Sequence, residues 1–204
     1  MDPRELQIVA LTGDIFMKYG IRSVSMDDIA REMGISKKTL YHYFSNKAEL
    51  LSRVIDFSNS IFENHIAIRE ENGKNAIDDL MLLSKYIDKH IASFNPVFSF
   101  DLKKFYPEVY KESLEKKRTV AYHYICENIR KGISEEIYRP DLNIDLVARL
   151  YVRKLEDLHQ TDYYDRKEVG TDEVFRVMIE NHIRGISNEK GIKYFEVQHR
   201  RNSI

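Results

Sequence analysis

The sequence predicts an all-α protein, and three observations carry that prediction. Only 8 Gly and 4 Pro occur in 204 residues, and the stretches between them are rich in Leu, Ile, Glu, Lys and Arg, good to middling helix formers. Apolar residues recur at i, i+3, i+4 and i+7, the spacing of one helix face. Residues able to cap a helix stand in front of several of these runs, and no β-alternation or repeat period competes.

In chain order, Ile8, Leu11, Thr12, Ile15 and Phe16 outline a first helix that ends at Gly20. Ser25, with Asp28 three residues on, has the form of a capping box and opens a second helix reaching about Met33. Gly34 permits an abrupt turn, and Ser36 caps a short third helix over about 37–44. Asn46 and Glu49 repeat the capping pattern ahead of a long fourth helix expected to reach Arg69. The polar segment Glu70 to Lys74 reads as a connection, and further helices are expected near 76–93, 97–105, 107–132, 144–160 and 172–187, with Pro96, Pro107, Gly132, Pro140 and Gly170 at the gaps. Residues 189–204 show weak patterning and read as a loosely attached tail.

Composition excludes several classes. Hydrophobic content of 43% with 32% charged residues is that of a folding globular chain. No apolar run reaches membrane-span or signal length, and the single Cys126 has no internal disulfide partner, so a cytoplasmic protein is expected. The net charge is −1, and the first fifty residues hold seven Lys/Arg against seven Asp/Glu. Any nucleic-acid surface must therefore come from local arrangement.

Such an arrangement is present. Two short helices joined at Gly34 and packed by Ile29, Ala30, Ile35 and Leu40 form a helix-turn-helix, with Lys37, Lys38, Thr39, Tyr41 and His42 left outward on the third helix. These side chains suit phosphates and base edges. An ordinary helical hairpin with a solvated basic face has the same local pattern.

The wider string resembles the N-terminal domain of the TetR family of bacterial regulators: Ile15-Phe16-x-x-x-Gly20, Ser25-x-x-Asp28-Ile29-Ala30-x-x-x-Gly34-Ile35-Ser36-Lys37, and Thr39-Leu40-Tyr41-x-Tyr43-Phe44-x-x-Lys47-x-x-Leu50-Leu51. The resemblance covers about a quarter of the chain. It implies a helix-turn-helix DNA-binding domain at 1–46 and a C-terminal helical bundle for ligand binding and dimerisation at 47–204. It also implies a homodimer on palindromic double-stranded operator DNA, acting as a ligand-responsive repressor; a constitutive binder without effector is the alternative. Ser25, Tyr41, His42 and Lys47 match positions that usually hold phosphates, while Lys37, Lys38 and Thr39 match positions that usually face bases. Lys38 departs from the Gly found in many members.

The aromatic crowd in the middle of the chain suggests a pocket for an unknown, partly aromatic or apolar effector, with Phe94, Phe98, Phe105, Tyr106, Tyr122 and Cys126 as candidate lining; plain core packing has the same composition. The last two expected helices carry apolar residues on more than one face, and Leu150, Phe175, Met178, Ile179 and His182 are candidate dimer contacts. No cofactor, metal or catalytic group is expected. His123, Cys126 and Glu127 come nearest to a ligand cluster and lack the closed set of a structural site. Walker, dinucleotide and nucleophile-elbow patterns are all missing, so an enzyme is not expected.

Overall fold

The computed structural model describes residues 2–72, 74–92, 95–157 and 171–202. It is all-α: among the described residues the chain forms α1 (Pro3–Tyr19), α2 (Met26–Glu32), α3 (Lys37–Tyr43), α4 (Lys47–Asn72), α5 (Ala76–Ala92), α6 (Pro96–Phe105), α7 (Pro107–Ser134), α8 (Ile144–Asp157), α9 (Thr171–Ile186) and α10 (Glu189–Asn202).

Local chemistry explains most of the helix starts. The Asp2 carboxylate accepts from the amides of Arg4 and Glu5, with Pro3 in the first turn of α1. Asn75, Asn95, Asn143 and Asn188 do the same for α5, α6, α8 and α10, each side-chain oxygen taking an amide of the first turn. The expected connection at Glu70 to Lys74 is partly helical, because α4 continues to Asn72. The end of the helix expected over 144–160 lies outside the described residues.

The chain divides into two compact units, one of residues 1–64 with 94–117 and the other of 65–93 with 118–204. The first is built on a core of Ile8, Val9, Phe16, Ile29, Leu40, Phe44, Leu50 and Leu51, joined by Leu102 from α6. The second packs α5 along α9, with Ile77 and Leu80 buried on α5 and Phe175, Ile179, Ile183 and Ile186 buried on α9. Phe175 and Ile179 are 0% and 4% exposed, which assigns them to the interior of their own chain rather than to an outer face. Tyr138 is also interior. Its ring covers Gly132 so closely that a Cβ there would lie 2.0 Å from a ring carbon, and its hydroxyl donates to Asn128 at 3.2 Å.

Residues 189–202 correct the tail reading. They form α10, which packs on α9 through Phe195, 2% exposed. Gly191 approaches the Ile137 carbonyl, Asn188 caps the helix, and the Tyr194 hydroxyl donates to Asp78 at 2.7 Å. Over 189–199 only Gly191 and Phe195 are buried, and one large apolar anchor gives a periodicity count too little to register.

Candidate nucleic-acid interface

The interface candidate is assembled by short-range bonds. Ser25 makes a complete capping box: its hydroxyl oxygen accepts from the Asp28 amide at 3.1 Å, and the Asp28 carboxylate accepts from the Ser25 amide at 2.9 Å. These bonds from Ser25 hold the Asp28 carboxyl below its ordinary range, with the nearby Arg31 adding to the effect. The Ser25 hydroxyl is thus engaged at the head of α2 both as acceptor and as donor, its one proton going to the Asp28 carboxylate at 2.6 Å, so contact with a phosphate requires that proton to turn away from Asp28.

The turn follows from backbone geometry. Gly34 sits at φ +63°, its amide donates to the Arg31 carbonyl at 3.1 Å, and the Ile35 amide donates to the Ala30 carbonyl at 3.0 Å. Ile29, Ala30 and Leu40 are 0%, 2% and 0% exposed beneath it, and Ile35 is half-buried. Ser36 caps α3 by accepting from the Thr39 amide at 3.0 Å, and the Ser36 and Thr39 hydroxyls lie 2.8 Å apart.

Lys37, Lys38, Tyr41 and His42 are exposed on α3, and Thr39 is half-buried. The Lys37 ammonium pairs with Asp27 at 2.5 Å. Both partners are well exposed, so the pair contributes at most about 1 kcal/mol and can be exchanged for a phosphate. Lys47 is placed differently. Its ammonium is half-buried and donates to the carbonyls of Ile21 and Val24, 5.8 Å from the centre of the Phe16 ring. Desolvation lowers its pKa, partly offset by the charges of Asp101 and Asp28.

The other candidate sets are split. Phe98 and Tyr106 are partly buried against the core of the first unit, and Phe105 is 38% exposed with the Arg22 guanidinium 4.8 Å above its ring. Tyr122 and Cys126 belong to the second unit. There the Tyr122 hydroxyl donates to Asp145 at 2.7 Å, a bond that pushes its pKa up to about 12, and Cys126 is buried. Phe94 lies outside the described residues. On the candidate dimer faces, Leu150 is 56% exposed and stands with Leu146 at 51% and Val177 at 46%, while Met178 and His182 are half-buried. Sequence reasoning missed Asp101, which is 6% exposed and accepts from the Arg22 amide at 2.8 Å; no local pattern links residues 79 apart. Among the described residues no helix is long and apolar enough to cross a membrane, and no three His, Cys, Asp or Glu side chains gather to hold a metal.

Residues 8–54 match the family described as "Bacterial regulatory proteins, tetR family". Along most of its length the chain is similar to the HTH-type transcriptional repressor KstR2 of Mycolicibacterium smegmatis, 21% identical over 194 residues and covering 94% of each protein. It is also similar over 55 residues, at 36% identity, to the HTH-type transcriptional regulator EthR of Mycobacterium tuberculosis, covering 27% of this chain and 26% of that one. A crystal structure of a transcriptional regulator from Cytophaga hutchinsonii shares the fold, with a TM-score of 0.74 and 19% identity over 92% of this chain and 100% of that one. The capping box, the glycine turn and the buried Ile29, Ala30 and Leu40 all lie inside residues 8–54, the segment that matches the tetR family of bacterial regulatory proteins, and they give it the build of a helix-turn-helix, the DNA-binding module of transcription regulators.

Proposed function

We propose that the protein is a transcriptional repressor that binds a palindromic operator as a homodimer and leaves it when an effector binds. The observation that carries this reading is α3 itself: a helix anchored by buried Leu40 and oriented by the Gly34 turn, with Lys37, Lys38, Tyr41 and His42 on its solvent side. Such a helix enters the major groove while flanking groups hold the backbone. In this reading Ser25, Tyr41 and His42 hold phosphates, and Lys37, Lys38 and Thr39 read base edges. The functions divide between 1–46 for DNA and 47–204 for effector and partner, a division of labour that need not coincide with the two compact units.

A dimer is supported by Leu146, Leu150 and Val177, apolar side chains on α8 and α9 left about half exposed in the single chain. The length-wide similarity to a protein named a repressor supports the sign of regulation. The effector in this reading is a small apolar or partly aromatic molecule; the six residues expected to line its site do not form one, because Phe98, Phe105 and Tyr106 belong to the first unit and Tyr122 and Cys126 to the second. A constitutive DNA binder of the same fold is the alternative, favoured to the extent that Phe98 and Tyr106 pack into a core.

The test is selection of duplexes from a random pool by the full chain, followed by titration of the winning sequence at several salt concentrations. An enriched inverted repeat, bound by two chains with a salt-dependent affinity, is expected. Failure to enrich any sequence, with equal affinity for all duplexes, refutes a sequence-specific regulator. Effector response is tested by screening small apolar compounds for release of that duplex; a ligand that binds with equal affinity to free and operator-bound protein supports the constitutive reading.

A further inference from the structure

The loop between α1 and α2 delivers Ser25 to the head of α2, and its backbone groups are satisfied by side chains from far along the chain. The last turn of α1 closes through the Gly20 amide, which donates to the Phe16 carbonyl at 2.9 Å. The Ser23 hydroxyl serves the carbonyls of Tyr19 and Gly20. The carbonyls of Ile21 and Val24 accept from the Lys47 ammonium, and the Arg22 amide donates to the Asp101 carboxylate. Nearby, the Asn95 side-chain amide donates to the Met17 carbonyl at 2.5 Å. Gly20, at φ +83°, admits this approach: a Cβ there would lie 3.1 Å from Val97 and 3.3 Å from the Asp101 carboxylate.

We infer that Lys47 and Asp101 are positioning residues for DNA binding: together they fix the 20–24 loop, and with it Ser25, without touching DNA. The inference rests on the DNA-binding reading above and assigns Lys47 away from the phosphate role its sequence position implies. An ammonium that donates to two carbonyls from a half-buried site has at most one proton left for a phosphate, and reaching outward breaks bonds that nothing nearby replaces. Asp101 completes the arrangement. It is nearly buried, accepts from the loop amide, and brings a negative charge toward the Lys47 ammonium. A helix that follows the DNA-binding segment by about fifty residues in sequence thereby belongs to the scaffold of that segment.

The test uses the full chain and the variants Lys47→Met, Lys47→Arg, Asp101→Ala and Asp101→Asn. Lys47→Met keeps the apolar stem and removes the donor; Asp101→Asn keeps an acceptor for the Arg22 amide. Two readouts are needed. In amide hydrogen exchange followed by mass spectrometry, Asp101→Ala and Lys47→Met should raise exchange of the peptide covering 20–25 by about tenfold or more while leaving α1 and α4 protected, and Asp101→Asn should restore most of the protection. In titrations on random-sequence duplex, Lys47→Met should weaken binding with the slope of log K against log salt unchanged, because no counterion-releasing contact is lost; Lys47→Arg should recover part of the affinity. A slope that falls by about one per lost contact with Lys47→Met makes Lys47 a phosphate ligand and overturns its assignment. Unchanged exchange at 20–25 in Asp101→Ala overturns the role of Asp101. If the unmutated protein binds no duplex at all, the DNA-binding reading fails, whereas the exchange measurement still decides whether these two residues hold the loop.

Discussion

His182 should give the protein an acid-sensitive loss of stability that one substitution removes. Its ring lies against Tyr151, with centroids 4.1 Å apart, and its Nε2 is buried with no hydrogen-bond partner among the described residues. Burial, reinforced by the charge of Lys154, lowers its pKa from 6.5 to about 4. The unfolded chain therefore takes up a proton near 6.5 that the folded chain refuses until about 4. The stability associated with neutral His182 is fully present above the unfolded pKa and is lost as pH falls toward the folded one. A tenfold difference in proton affinity between the two states corresponds to about 1.4 kcal/mol, so the loss amounts to about 3 kcal/mol, a large part of a typical folding free energy. The perturbation is His182→Phe, which retains a ring against Tyr151 and has no proton to take up. Urea unfolding followed from neutral pH to about pH 4 measures the effect, and the quantity of interest is the difference between the two proteins. The difference is needed because other groups titrate in the same range. Asp79, for one, has its carboxyl raised by burial and opposes the trend. The unmutated protein should lose about 3 kcal/mol more than the variant across that window. Parallel pH profiles for the two proteins would refute the argument that His182 is held neutral by burial.

Three other outcomes are expected. Gly34→Ala meets no atom within 4 Å, so its cost should come from the left-handed backbone alone, about 1–2 kcal/mol in chemical denaturation, with Gly34→Asn costing less; equal costs would remove the conformational explanation. Gly191→Ala places a Cβ 2.1 Å from the Ile137 carbonyl oxygen, so α10 must move, and limited proteolysis should cut near 187–191 faster; unaltered proteolysis would contradict the packing of α10. Leu150→Arg, on a side chain 56% exposed in the single chain, should convert the proposed dimer to monomer by light scattering with little loss of helix content, whereas a monomeric unmutated protein at micromolar concentration would defeat the dimer itself.

The apolar faces of α8 and α9 show how far periodicity reaches. Spacing reveals that α9 is apolar on more than one side, and the residues Phe175, Met178, Ile179 and His182 all satisfy it. Which side is inner is decided by the helices packed on α9, α5 and α10, with Phe175, Ile179, Ile183 and Ile186 buried and Val177 left 46% exposed. Both faces of a doubly apolar helix look alike until a partner helix is present. The aromatic candidates behave similarly. Phe98 and Tyr106 have the composition of a pocket wall and of a core, and here they pack against the core of the first unit.

By itself the sequence determined the helix-turn-helix. Its all-α class, the capping box of Ser25 and Asp28, the turn at Gly34, the cap at Ser36 and the buried set of Ile29, Ala30 and Leu40 all arise from bonds and contacts between residues close along the chain. Interactions of that range are encoded in spacing, because a helix or turn brings i and i+3 or i+4 together whatever surrounds it. Only the tertiary structure decided where Lys47 points, that Asp101 closes the loop from 79 residues away, and that residues 189–202 dock as a helix. Each of those outcomes depends on which unsatisfied carbonyl, amide or apolar surface a distant element leaves within reach, and spacing along the chain carries no record of it.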